Sequence, residues 1–126
     1  MGIAHQALGA QDAAIILNKA FLRCIDNLEL SRAELSHIVG FSAASISRLC
    51  DGKKQINPES KEGELILLVL RVYRSLDAIF GGNQAHCKVW LRADNNHLQA
   101  IPLKKMYSIC GLNEVAFYLD AFRAKV

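Results

Sequence analysis

The chain has 126 residues, a formal net charge of +3, 52% hydrophobic and 21% charged side chains, the balance of a folded domain rather than a disordered tail. Leu (17) and Ala (16) far outnumber Ile (11) and Val (6), and Thr is absent, so a sheet-dominated fold is disfavoured and the chain reads as all-α. The charge is too small to mark a polybasic binder: residues 1–60 carry six basic and six acidic side chains, and residues 61–126 carry nine and six.

Residues 1–10 lack periodicity and are expected to form a flexible arm. From Gln11, the apolar side chains Ala14, Leu17, Phe21, Ile25 and Leu28 follow helical spacing. Ser31 and Glu34 form a Ser-x-x-Glu capping box for a short second helix, which Gly40 ends. Ser42 caps a third helix that runs to about Cys50, where Asp51-Gly52 stops it. Asn57-Pro58 reads as an N-cap followed by proline at the first position of a long helix, with Leu65, Leu68, Val69, Val72, Leu76 and Ile79 on one face. Gly81-Gly82 ends it, and a shorter segment, Gln84 to Leu91, carries Trp90 ahead of a polar loop, Arg92 to Asn96. Ile101-Pro102 is expected to begin a helix that stops at Gly111, and Asn113 to cap a last helix through Val115, Leu119 and Phe122.

The span Leu30 to Leu49 is the most specific feature. Two capped helices with inward Leu35, Ile38, Ile46 and Leu49, joined through a glycine turn, are the pattern of a helix-turn-helix, whose second helix enters the major groove of DNA. The groove-facing residues are then Ser42, Ala43, Ala44, Ser45, Ser47 and Arg48, small or polar as close approach requires. Arg48 can meet guanine bidentately or touch phosphate, and Lys53 and Lys54 follow where phosphate would lie. The competing reading is an ordinary helical hairpin whose serines are solvated caps.

Other chemistry is poorly supported. Cys24, Cys50, Cys87 and Cys110 lie more than twenty residues apart, without a Cys-x-x-Cys pair, and read as reduced, mostly buried thiols. His5, His37, His86 and His97 have no metal-site spacing, and the acidic residues fall at caps and first turns, so neither a metal, a cofactor nor a catalytic centre is expected. The longest apolar run, Leu65 to Leu70, is far below the roughly 20 residues that span a bilayer. With no signal-peptide pattern at the N-terminus, a soluble, cytoplasmic protein without a membrane partner is expected.

Ser31, Glu34-Leu35, Gly40-Phe41-Ser42, Ile46-Ser47-Arg48-Leu49 and Gly52 follow the order of the Xre-type regulators, which this stretch resembles. Further on, Trp90-Leu91, Asn95-Asn96, Pro102-Leu103, Gly111-Leu112 and Val115 with Leu119 form an ordered series. Singly, each has a structural reading as core anchor, turn, helix start or cap. In order, they resemble the C-terminal toxin-binding domain of the Xre/MbcA/ParS antitoxin family, and with the helix-turn-helix the resemblance spans roughly residues 15–126. One departure is the last helix, which reads Leu119-Asp120-Ala121-Phe122-Arg123-Ala124-Lys125-Val126 where many members carry a glycine.

The resemblance implies a type II antitoxin that represses its own operator and covers the active site of a RES-domain, NAD-depleting toxin. It divides the chain into an arm (1–10), a helix-turn-helix module (11–57) and a helical dimerisation and toxin-binding region (58–126). By position, the implied toxin contacts are Trp90, Asn95, Asn96, Pro102, Tyr107, Tyr118, Arg123, Lys125 and Val126. Arg123 and Lys125 have a second reading, as cations that complement the dipole of the last helix. A homodimer is expected, because paired recognition helices meet successive major grooves. The alternatives are a stand-alone repressor whose second half only dimerises, and an interaction module that has lost DNA binding.

Overall fold

The structure, a computed structural model, describes residues 9–125. Helical periodicity winds Ala10–Leu28 into α1, which buries Leu17, Phe21, Cys24, Ile25 and Leu28 together with one polar residue, Asn18. Most of the expected N-terminal arm lies outside the described residues; Gly9 already flanks α1 as its N-cap, and Ala10 is helical.

The next two helices form as their local signals dictate. In α2 (Arg32–Val39), Ser31 Oγ accepts from the Glu34 amide at 3.0 Å, and Glu34 Oε1 accepts from the Ser31 amide at 2.8 Å, completing the capping box. Gly40 closes the helix at φ 76°, a conformation that costs a side-chain-bearing residue far more than glycine. Ser42 Oγ accepts from the Ser45 amide to cap α3 (Ala43–Cys50).

The expected start of the fourth helix is corrected. Helix α4 spans Lys61–Ile79 and is capped by Ser60, not Asn57. The Asn57 side chain instead accepts from the Glu59 amide at 2.9 Å, and its carbonyl accepts from Ser60 Oγ at 2.6 Å, so residues 57–60 are a folded turn. That turn lies directly on the first turn of α4, where only glycine fits: a Cβ on Gly63 would overlap the Asn57 carbonyl oxygen. The buried stripe of α4 is also broader than expected. Ile66 and Leu70 join Val69, Val72 and Leu76 in the core, whereas Leu65, Leu68 and Ile79 are half-buried, because α4 packs against α1, α2, α5 and α7.

Beyond α5 (Gln84–Arg92), residues Asn95 and Ala100 exchange backbone hydrogen bonds of 3.0 and 3.3 Å and close a tight loop. Pro102 opens α6, which ends after Lys105 rather than continuing to Gly111. Ser108, not Asn113, then caps α7 (Ile109–Arg123), its Oγ accepting from the Gly111 amide at 3.0 Å. Gly111 therefore stops nothing. It sits in the first turn of α7, against the Lys105 carbonyl, with no room for a Cβ.

The described residues hold seven helices and no strand, the all-α expectation, gathered on one continuous apolar cluster from Leu17 to Leu119. The most extensive helix pairing is α4 with α7. It is tied by Asp120, which accepts from Arg71 Nε at 2.6 Å and from the buried Ser75 hydroxyl at 3.2 Å. All four cysteines are free thiols, but only Cys24 and Cys87 are buried; Cys50 is half-buried, and Cys110 is exposed on the outer side of α7. Burial pushes the Cys24 thiol up to about 12. No helix among the described residues is long and apolar enough to cross a membrane.

Replacing Gly111 by alanine forces the Lys105 carbonyl away from α7 and is expected to cost about 2 kcal/mol, the scale of a core overpacking. Urea denaturation measures it: a lower midpoint at unchanged slope is the expected result, and an unchanged midpoint would show that the two turns do not need their close approach.

Candidate nucleic-acid and partner interfaces

Helices α2 and α3 bury Leu35, Ile38, Ile46 and Leu49 between themselves and the core, which turns the opposite side of α3 outward. Ser42, Ala43, Ala44 and Arg48 are exposed, and Ser45 and Ser47 are half-buried at the edges of the same face. Arg48 Nη2 is 3.4 Å from Ser45 Oγ, a long contact that leaves the guanidinium free to be recruited elsewhere. All six α3-side positions expected from the sequence thus lie on or beside one surface.

The loop after α3 is held from beneath. Asn18, on the buried side of α1, donates from Nδ2 to the Lys54 carbonyl at 2.8 Å, while its Oδ1 accepts from the Ile56 amide at 3.2 Å. This presents Lys53 to solvent and lays the Lys54 ammonium 5.3 Å from the centre of the Phe41 ring. Arg32, at the start of α2, donates from Nη1 to Ser47 Oγ at 2.8 Å and lines a hollow of about 390 Å³ with Ala33, Ser36, His37, Ala43 and Ser47. The sequence reading missed Asn18, Arg32 and Phe41. Asn18 left a signal: a lone amide beside Leu17, within the apolar stripe of α1.

A second surface is aromatic. Trp90 and Tyr118 stack with centroids 6.4 Å apart, His97 lies 6.0 Å from Tyr118, and Phe122 lies 6.4 Å from Tyr118. Ile79, Phe80, Trp90, Tyr118, Leu119 and Phe122 enclose a cavity of about 200 Å³, at whose rim Phe122 remains 45% exposed. Such a lining suits an apolar side chain from a partner.

The remaining positions expected from the sequence scatter around this cluster. Asn95 is used inside its own loop, its Oδ1 accepting from the Leu98 amide at 3.0 Å, whereas Asn96 is exposed next to His97. Pro102 is buried as the first residue of α6. Tyr107 lies apart from Trp90 and Tyr118, stacked on His37 of α2 at 4.7 Å. There burial, together with the nearby Glu34 carboxylate, raises its hydroxyl pKa against the opposing pull of Arg92. Arg123 is exposed and lines a different groove with Arg71, Arg74 and Asp120; Lys125 is exposed, and Val126 lies outside the described residues. His97, Phe80 and Phe122 complete the aromatic cluster and were missed as site residues, since spacing along the chain does not reveal which aromatics three elements bring together.

A capped helix pair with an outward polar face, built on the same core as a helical unit with an aromatic recess, defines a helix-turn-helix regulator with a second binding region. The family model described as the antitoxin Xre-like helix-turn-helix domain matches residues 5–71, and the antitoxin Xre/MbcA/ParS C-terminal toxin-binding domain matches residues 75–125. The chain belongs to the Xre/MbcA/ParS antitoxin family: it is an antitoxin with a DNA-binding helix-turn-helix domain and a toxin-binding domain, as the sequence resemblance implied. The two matched spans meet inside α4, downstream of the expected division after residue 57. No curated protein matches the chain.

Replacing Asn18 by alanine leaves the Lys54 carbonyl and the Ile56 amide without their partner and is expected to cost about 2 kcal/mol. Hydrogen exchange at the Ile56 amide should accelerate in step. Exchange as slow as in the parent protein would show that Asn18 does not hold this loop.

Proposed function

We propose that the protein represses its own operon through α3 and neutralises a RES-domain, NAD-depleting toxin by covering that toxin's active site with its C-terminal region. The DNA contacts are Ser42, Ala43, Ala44, Ser45, Ser47 and Arg48 on the helix, with Lys53 and Lys54 on phosphate. The observation that carries the toxin half is the recess between Trp90, Tyr118 and Phe122, an apolar cavity open at the surface of the toxin-binding domain. Asn96 is exposed beside His97, whose ring stacks with Tyr118. Asn95 and Pro102 act through the shape of the loop and of α6 rather than as exposed contacts. Tyr107, Arg123, Lys125 and Val126 complete the toxin-contact set.

A homodimer is part of this proposal. Ile16 and Leu67, 54% and 48% exposed, line an apolar groove between α1 and α4 with Pro58, Leu70 and Arg74. Exposed apolar surface of this kind is used for association, and two copies would align two recognition helices with successive major grooves.

Co-purification with the product of the adjacent reading frame, followed by growth rescue and a measurement of cellular NAD, tests the reading. A complex that restores growth and NAD supports it. A toxic partner that leaves NAD unchanged overturns the RES assignment while keeping the antitoxin.

Two substitutions separate the surfaces. Arg48→Ala is expected to weaken binding to the upstream duplex by roughly tenfold, from the loss of about 1–3 kcal/mol, without changing growth rescue. Trp90→Ala is expected to do the reverse, weakening the toxin complex by about 2 kcal/mol or more, as for an aromatic anchor. Fluorescence anisotropy and calorimetry on the folded variants check both, and a single change that removes both activities overturns the division.

A further inference from the structure

Helix α5 belongs to the span matched by the toxin-binding family model, yet two of its side chains grip the helix-turn-helix. Lys88 Nζ meets Glu29 Oε2 at 2.6 Å. Arg92 Nη2 donates to the Glu29 carbonyl at 2.9 Å and lies 3.3 Å from Glu34 Oε1. That same Oε1 accepts from the Ser31 amide as half of the α2 capping box. One guanidinium therefore spans the α1–α2 corner, touching the residue that ends α1 and the carboxylate that starts α2.

The corner needs holding. Glu29 sits in the left-handed region at φ 51°, where a residue with a side chain is strained. Only Leu30 and Ser31 separate it from α2. The direction of α2 in turn sets that of α3, because Leu35 and Ile38 pack with Ile46 and Leu49, Ser36 Oγ donates to the Phe41 carbonyl, and Arg32 reaches Ser47. Arg92 is half-buried, and its Nη1, itself shielded from solvent, has no hydrogen-bond partner among the described residues.

We propose that Arg92 is a positioning residue for DNA binding, fixing the aim of α3 from within the toxin-binding region by clamping the α1–α2 corner. The inference rests on the reading that α3 meets DNA. Arg92 acts through Glu29 and Glu34, and its charge is not used on phosphate.

The experiment measures the affinity of the full chain for a labelled duplex from the region upstream of its own gene, over a series of salt concentrations. The proteins are wild type, Arg92→Met, Arg92→Lys, Glu34→Gln and the Arg92→Met/Glu34→Gln pair. Arg92→Met is expected to lower affinity roughly tenfold. The slope of log affinity against log salt should stay unchanged, whereas loss of one phosphate contact reduces it by about 0.9. Glu34→Gln keeps an acceptor for the capping box but removes the charge partner of Arg92, so it should weaken binding less, and the double variant should match Arg92→Met alone. Arg92→Lys retains a charge that reaches only one of the two acceptors and should fall between; it also provides the test if Arg92→Met melts at the assay temperature.

Equal affinity for wild type and both Arg92 variants overturns this inference alone. A drop accompanied by a shallower slope also overturns it, since Arg92 would then touch phosphate. A wild-type protein that binds no duplex more tightly than unrelated DNA overturns the DNA-binding reading, and this inference with it.

Discussion

Everything else in the molecule is arranged around α4. Its Ile66, Val69, Val72 and Leu76 are fully or almost fully removed from solvent, against α1 and α2 on the DNA-binding side and α5 and α7 on the toxin-binding side. Burying each such side chain contributes on the order of 2 kcal/mol, so the helix is a major part of both cores. The family models meet within it, and no apolar boundary separates the regions they match. One core means that the two binding surfaces are fixed relative to each other by packing rather than by a linker.

The same local device sets the entry to α4 and to α7. In each, a serine caps the helix through the amide three residues on, and that third residue is a glycine, Gly63 or Gly111. In each, the preceding turn folds its backbone carbonyl onto the helix where a side chain would stand. Close approach lets each of these long helices begin directly on the turn that precedes it.

This device explains where the sequence was legible and where it misled. The helix-turn-helix could be read because its signals are local: Ser31 with Glu34, Gly40 at positive φ and Ser42 are satisfied by neighbours within a few positions. Gly111 misled because glycine as a helix stop and glycine as a contact point look alike in a sequence, and only the Lys105 carbonyl distinguishes them. Asn57-Pro58 misled likewise, since an asparagine that closes a turn uses the same side-chain oxygen as one that caps a helix. Tertiary placement was the least legible. Trp90, Tyr107 and Tyr118 were all implied as toxin contacts, and the fold stacks Trp90 on Tyr118 but Tyr107 on His37.

Charge gives a further link between the halves. The first sixty residues are formally neutral, an unpromising balance for a surface that meets a polyanion. In the fold, two of their carboxylates, Glu29 and Glu34, are paired with Lys88 and Arg92 from the other half. Among the described residues, Arg32, Arg48, Lys53 and Lys54 take part in no salt bridge within 4.0 Å. The basic excess of residues 61–126 is therefore used in part to neutralise acids at the α1–α2 corner, leaving the cations around α3 uncompensated by those partners. Local placement, rather than total charge, gives the α2–α3 side its basic character, and the second region helps create that placement without belonging to the face itself.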